Sequence, residues 1–302
     1  MKARFLTADV FTNRRFGGNQ LAVFPDARAI PEDELLPVTR EFNFSETVFV
    51  YPPADPRHTR RVRIFTPGGE IPFAGHPTVG TAHVLAATGE IALAGPVTDI
   101  VLEEGVGPVP VRIRGAGPTP AFCQLTVAQL PMETPPPVDT AAIAEALSLG
   151  EEDLVGGDHA PMAVSCGLPY LIVPLASGDA VRRARLRPEV WERTLKGSTS
   201  QEIMIIAQDG AAYDADLHAR VFVPGLSVPE DPATGSACAA LGGYLARRTP
   251  RGAATLCWTV AQGVEMGRPS HLEVEADKVN GAVTAVRVGG ATVLVSEGTM
   301  EI

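Results

Sequence analysis

An α+β fold built from two similar halves is what this sequence predicts, and three observations predict it. The chain nearly repeats itself: Phe65-Thr66-Pro67, Pro72 and Gly75-His76-Pro77-Thr78-Val79-Gly80-Thr81-Ala82 are echoed by Phe222-Val223-Pro224, Pro229 and Glu230-Asp231-Pro232-Ala233-Thr234-Gly235-Ser236-Ala237. A repeat of this length, spanning half a chain, implies two like halves rather than a solenoid. Each half also carries alternating apolar runs around one strongly apolar helical stretch. Finally, the connection lengths show no regular βαβ alternation, so each half reads as a mostly antiparallel sheet carrying a central helix.

The elements follow in order. Alternation predicts strands at residues 4–10, 21–24, 47–51 and 59–65. Pro31-Glu32-Asp33-Glu34 opens a helix ending near Asn43, with proline tolerated in the first turn and acids favoured at the positive end. His76-Pro77 opens a second helix to about Ala87, closed by Gly89 and apolar almost all round, hence buried. Strands recur at 97–102, 109–114 and 121–126. The proline-rich stretch 131–137 has few backbone donors and suits a linker. The second half restarts with a helix near 139–147, then strands at 163–166, 171–174, 203–207 and 218–223. A buried helix is expected over 232–247 and strands at 272–276, 283–288 and 292–295. The domain boundaries expected are 1–127, rejoined by the last strand at about 291–302, and 128–290. No G-x-G-x-x-G follows a strand, since Gly115-Ala116-Gly117 leads into Pro118, so a dinucleotide fold is not expected.

Composition narrows the function. The 302 residues are 45% hydrophobic and 20% charged, with a net charge of −10. That balance gives no general electrostatic reason to bind nucleic acid or an anionic membrane. The basic run Arg182-Arg183-Ala184-Arg185-Leu186-Arg187 reads as a solvated helix face. The start, Met1-Lys2-Ala3-Arg4, lacks the apolar core of a signal peptide, and every apolar stretch is broken too early to span a membrane. Cys123, Cys166, Cys238 and Cys257 are scattered. They form no zinc-binding pattern and fit reduced thiols in a cytoplasm.

Aligned on Pro77 and Pro232, the repeat places an ionisable residue just before each shared proline, His76 in one copy and Asp231 in the other. If the halves face each other, the two residues meet as a two-sided acid/base site. Asp231-Pro232 is also what an ordinary helix start looks like, Asp as N-cap and Pro at the first helical position. His76 fits that explanation poorly, because histidine is a weak cap and titrates near physiological pH. The two helix starts are expected to hold a substrate carboxylate. Gly75, Gly80 and Gly235 permit close backbone approach, and Ser236 adds a donor. Glu46, in Asn43-Phe44-Ser45-Glu46-Thr47-Val48-Phe49, and the glycines around Gln262-Gly263 have no local signal that separates them from a strand start and a loop.

Taken together the motifs resemble the PhzF family of phenazine-biosynthesis-like isomerases. Asp9-Val10-Phe11-Thr12 with Phe16-Gly17-Gly18-Asn19 carries the resemblance, followed by Phe44-Ser45-Glu46-Thr47-Val48-Phe49. So do Arg63-Ile64-Phe65-Thr66-Pro67, the two helix-start motifs, Gly167-Leu168-Pro169-Tyr170, and Gln262-Gly263 with Gly267-Arg268-Pro269-Ser270, in the family's order over nearly the whole chain. Gln20 departs from the proline often found after Asn19. The resemblance implies a diaminopimelate-epimerase-like fold of two pseudo-symmetric lobes, each a curled sheet around its helix, and a homodimer. It implies Glu46 as proton shuttle, with His76 and Asp231 completing the site. The related epimerases and proline racemases use a pair of cysteines at the helix starts. Gly75 and Asp231 stand at the comparable positions, and Cys238 lies further into its helix, so a two-thiol mechanism is not available.

The resulting expectation is an isomerase that moves a proton within a small carboxylated substrate, with no metal, nucleotide or flavin. Asn19, Ser45, Gly75, Gly235 and Ser236 are the expected substrate contacts, with Phe44 and Phe49 as apolar cover for Glu46. A silent small-molecule-binding or protein-interaction module and an acid-pair amino-acid epimerase are the alternatives.

Overall fold

The computed structural model describes residues 1–116, 119–226 and 228–302. Gly117 and Pro118, where the glycine run meets its proline, lie outside them. The chain divides into two compact units, Met1–Ala128 with Val288–Ile302, and Gln129–Arg287.

The first unit comprises β1 (Lys2–Val10), β2 (Asn19–Phe24), α1 (Leu35–Phe42), β3 (Glu46–Tyr51), β4 (Arg60–Thr66), β5 (Gly69–Ile71), α2 (Gly75–Ala87), β6 (Val97–Glu104), β7 (Gly107–Ala116) and β8 (Thr119–Thr126). The second comprises β9 (Met132–Thr134), α3 (Thr140–Ala146), β10 (Met162–Ser165), β11 (Pro169–Pro174), α4 (Gly178–Arg183), α5 (Pro188–Thr194), β12 (Glu202–Ala207), β13 (Leu217–Val223), β14 (Val228–Asp231), α6 (Gly235–Arg248), β15 (Ala254–Gln262) and β16 (Ser270–Val279). β17 (Ala282–Gly290) crosses the division, and β18 (Thr292–Glu301) returns to the first unit.

In the first unit the strands lie in the order β18-β1-β2-β3-β4-β6-β7-β8, antiparallel except for β2–β3 and β4–β6. α2 packs on strands from both ends of this series, so the sheet curls around it. Every residue of α2 from Gly75 to Ala86 is buried. The other face of the sheet is covered by α1 through Leu35 and Val38 on Phe24, Phe49 and Phe65. The second unit repeats this plan strand for strand from β9 to β17, with parallel pairs β11–β12 and β13–β15 and with α6 as its central helix. α3, α4 and α5 cover its outer face, Trp191 and Phe222 lying in that core. The expected α+β class, with each unit's strands curled around one apolar helix, is the fold observed.

Close packing of α2 leaves Gly80 no room for a side chain. A Cβ there would lie 2.6 Å from Leu21 Cδ2 and 2.6 Å from Val10 Cγ2, both fully buried. Alanine gains about 1 kcal/mol in helix propensity, but overpacking costs about 1–3 kcal/mol. Gly80→Ala should therefore lower the denaturant midpoint, and an unchanged or raised midpoint would mean that the sheet yields around the helix.

Three sequence expectations are corrected. Residues 131–137 are not wholly a linker: β9 pairs antiparallel with β10, Thr134 opposite Ala163, and the prolines flank this short strand without interrupting it. Asp231-Pro232 does not open α6. Asp231 ends β14, and Thr234 is the N-cap residue. The register of the repeat also shifts. Ile64, one residue before Phe65, pairs with Ile71, while Val221, one before Phe222, pairs with Asp231. Ile71 is thus the counterpart of Asp231, and Pro72-Phe73-Ala74-Gly75-His76 matches Pro232-Ala233-Thr234-Gly235-Ser236. The first copy contains Pro-x-x-Gly twice, five residues apart, and strand pairing selects the earlier one. His76 is the counterpart of Ser236.

Candidate functional site

The parallel pairing of β2 with β3 sets Leu21 opposite Glu46. Side chains alternate along a strand, so Glu46 shares the α2 face with Val48, while Phe49 points to the α1 face and stacks on Phe24 at 5.2 Å. Phe49 therefore does not cover Glu46. Phe44 packs against Phe42, and Ser45 is half-buried just before the strand. Asn19 begins β2 after a turn in which Asp9 Oδ2 accepts the Phe16 N–H at 2.7 Å. Gly18 in that turn has φ +61, and a Cβ would lie 2.3 Å from the Val10 carbonyl, so only glycine fits before Asn19.

These elements bring Asn19, Glu46 and His76 together. His76 Nε2 lies 3.3 Å from Glu46 Oε2, and Asn19 Nδ2 lies 3.2 Å from His76 Nδ1. All three are buried, at 1%, 9% and 3% exposure. Burial pushes the His76 pKa down to about 3, with a smaller opposing effect from the Gln20 backbone. The ring is therefore neutral at physiological pH. With the Asn19 amide donating to Nδ1, the ring proton sits on Nε2, 3.3 Å from Glu46 Oε2 but out of line for a hydrogen bond to it. Ring ¹⁵N shifts should show a neutral Nε2–H tautomer, unchanged from pH 8 to pH 5; titration near 6.5 would refute this. His83, on the same helix, is likewise pushed down to about 4 by burial. A base with a depressed folded pKa contributes stability that is full above its ordinary 6.5 and lost as pH falls toward the folded value, by at most about 1.4 kcal/mol per pH unit each.

In the second unit Asp231, Gly235 and Ser236 sit at the start of α6. Asp231 Oδ2 accepts a short hydrogen bond from the Thr234 hydroxyl. Its carbonyl accepts Gln262 Nε2 at 2.7 Å. Ser236 Oγ lies 2.8 Å from the Tyr170 hydroxyl. Neighbouring Glu230 is anchored by a bidentate pair with Arg220 at 2.8 and 2.9 Å. Gly75 opens α2 as Gly235 opens α6, but Pro77 gives α2 no N–H at its third position. Cys238 is fully buried and its thiol is pushed up by desolvation first, then by Asp231, so it is no nucleophile. Among the described residues no cluster of His, Cys, Asp or Glu could hold a metal ion.

Sequence reasoning assigned no role to Glu104, Gln262 or Glu202. The first two each precede Gly-Val, in Glu104-Gly105-Val106 and Gln262-Gly263-Val264, a shared dipeptide that marks equivalent strand ends. Glu202 lies opposite Tyr170 as Glu46 lies opposite Leu21, and next to it Ile203 faces Phe222 as Thr47 faces Phe65. It is the counterpart of Glu46, with its pKa pushed up to about 7, chiefly by burial.

The family model described as phenazine biosynthesis-like protein matches residues 8–298. The chain is 38% identical to an uncharacterized isomerase of Mesorhizobium japonicum, over 99% of this chain and 98% of that one. It is 31% identical to the trans-2,3-dihydro-3-hydroxyanthranilate isomerase of Pseudomonas aeruginosa, over 98% of each. The crystal structure of a phenazine biosynthesis protein of the PhzF family from Bacillus anthracis superposes with a TM-score of 0.88 at 25% identity, covering 100% of both chains.

Proposed function

The chain belongs to the PhzC-PhzF family of phenazine biosynthesis-like proteins and is an isomerase of that family; on that premise we propose that it moves a proton within a small carboxylated substrate by general acid–base catalysis. Glu46 carries the proton, taking it from an acidified carbon and returning it elsewhere on the substrate. His76, neutral and with Nε2 3.3 Å from the carboxyl, sets the polar surroundings of Glu46, and Asn19 holds the ring. Asp231 is the other residue assigned a catalytic role. Backbone N–H groups near Gly75 or near Gly235 and Ser236 hold the substrate carboxylate, with Ser45 beside Glu46. No cofactor is required, because the carboxyl group itself stores the proton between the two half-steps.

The observation that carries this reading is the buried contact between Glu46 and His76 at the first turn of α2. A dihydro-hydroxyanthranilate, the substrate class named for the Pseudomonas relative, is the first compound to try. The test is solvent deuterium wash-in across cyclic and aromatic amino and hydroxy acids. Incorporation with a shifted double bond supports the proposal. Binding by calorimetry with no exchange for any compound would favour a silent binding module, and loss of optical rotation would favour an epimerase.

A further inference from the structure

The last residues of β6 and β15 occupy equivalent places. Arg61 on β4 lies opposite Glu103, and His218 on β13 lies opposite Ala261. Arg61 and His218 each stand four residues before the repeated phenylalanine. One step further along, Glu104 therefore matches Gln262.

Gln262 uses both ends of its amide at the start of α6. Oε1 accepts the Thr234 N–H at 3.1 Å, and Nε2 donates to the Asp231 carbonyl at 2.7 Å and to Thr234 Oγ1 at 3.0 Å. The N-cap residue of α2 is Ala74, which has no hydroxyl. Thr78, one turn on, supplies it. Thr78 Oγ1 lies 2.7 Å from the Ala74 carbonyl and 2.6 Å from Glu104 Oε1. A threonine hydroxyl has one proton, and a carbonyl can only accept. A neutral Glu104 carboxyl, donating to Thr78 Oγ1, lets both contacts stand at once.

We infer that Glu104 is a positioning residue that clamps the His76 helix start as a neutral acid, doing with a carboxyl group what Gln262 does with an amide, and that the site is held in register only while Glu104 keeps its proton. Burial pushes its pKa up to about 8, against a smaller lowering by Thr78, and its buried Oε2 has no hydrogen-bond partner among the described residues. The titratable groups around it do not hydrogen-bond to it. Arg61, Arg63, Glu70 and Glu103 line with it a surface pocket of about 380 Å³. Arg63 is held by Glu32 and Glu70, Glu103 takes the Ala54 and Asp55 N–H groups and His58, and Arg61 lies over the Tyr51 ring. His76 and His83 on α2 are neutral at physiological pH. Ionised, Glu104 would compete with the Ala74 carbonyl for a single hydroxyl proton.

The inference rests on the isomerase reading for its catalytic consequence, and its test has two arms. Wild-type kcat/KM for exchange should be about tenfold lower at pH 9 than at pH 7, since a group with a pKa near 8 is then about nine-tenths ionised. Glu104→Gln should flatten that alkaline limb, and Gln262→Glu should introduce a new one. Independently of turnover, an acid with a raised folded pKa contributes stability that is full below its ordinary 4.5 and lost as pH rises through about 8. The wild-type melting temperature should fall over that window more steeply than that of Glu104→Gln. An alkaline limb and melting slope unchanged by Glu104→Gln would overturn the clamp. If no compound is turned over, the isomerase reading fails while the melting arm still decides whether Glu104 is protonated.

Discussion

Glu46→Gln is expected to yield a folded protein that binds its ligand and exchanges substrate protons about 10²–10⁴ times more slowly. Glutamine keeps the volume of glutamate and can keep the native side chain's place, 3.3 Å from His76 Nε2. The backbone of β3 is held by its pairing with β2 and β4 and does not depend on the side chain. Stability should therefore change little, while the proton store is removed entirely. The residual rate would then be that of bound substrate exchanging with water. Wild-type exchange in this variant would place the shuttle elsewhere, and Glu202, its structural counterpart, would be the next residue to replace.

Asp231→Asn is the second large expected effect: turnover lost by at least about a hundredfold, melting close to native. Asp231 is not the N-cap of α6, so the ordinary capping argument does not apply to it directly. Its structural task is to accept the hydroxyl of Thr234, the residue that is the cap. The amide oxygen of asparagine can accept the same bond. What asparagine cannot do is carry a charge or a proton. An enzyme that keeps its turnover with asparagine here uses Asp231 only to orient Thr234.

Strands and central helices were legible because their burial has a simple period. The apolar stretch of α2 and the alternation along β1, β3 and β4 identify those elements without any knowledge of their neighbours. β15 is not among the strands expected from the sequence. Leu256, Trp258 and Val260 alternate along it, but Thr255, Cys257 and Thr259 between them are ambivalent in polarity. The register of the repeat was misread because Pro72-x-x-Gly75 and Pro77-x-x-Gly80 match the second copy almost equally well. Only the antiparallel partner of Asp231 separates them. The site shows the same limit. His76 announced itself by sitting at a helix start, whereas Glu46 had no local signal and became a candidate through resemblance alone. Glu104 and Gln262 touch helix-start residues far away in sequence, and no periodicity reports a contact of that kind.

The pairing of β1 with β18, from Lys2 opposite Glu301 to Val10 opposite Thr292, has a consequence for biosynthesis. On the ribosome the first strand emerges long before its partner, and the whole second unit is translated in between. At about 5–20 residues per second that interval is on the order of ten seconds. Throughout it one edge of β1 presents unpaired backbone groups, a template on which a neighbouring nascent chain can dock. The second unit is continuous in sequence and can close its sheet as soon as it leaves the exit tunnel. Folding order thus runs against synthesis order: the unit carrying Glu46 and His76 is begun first and finished last, and cellular chaperones have their longest opportunity to act on its open strand edge.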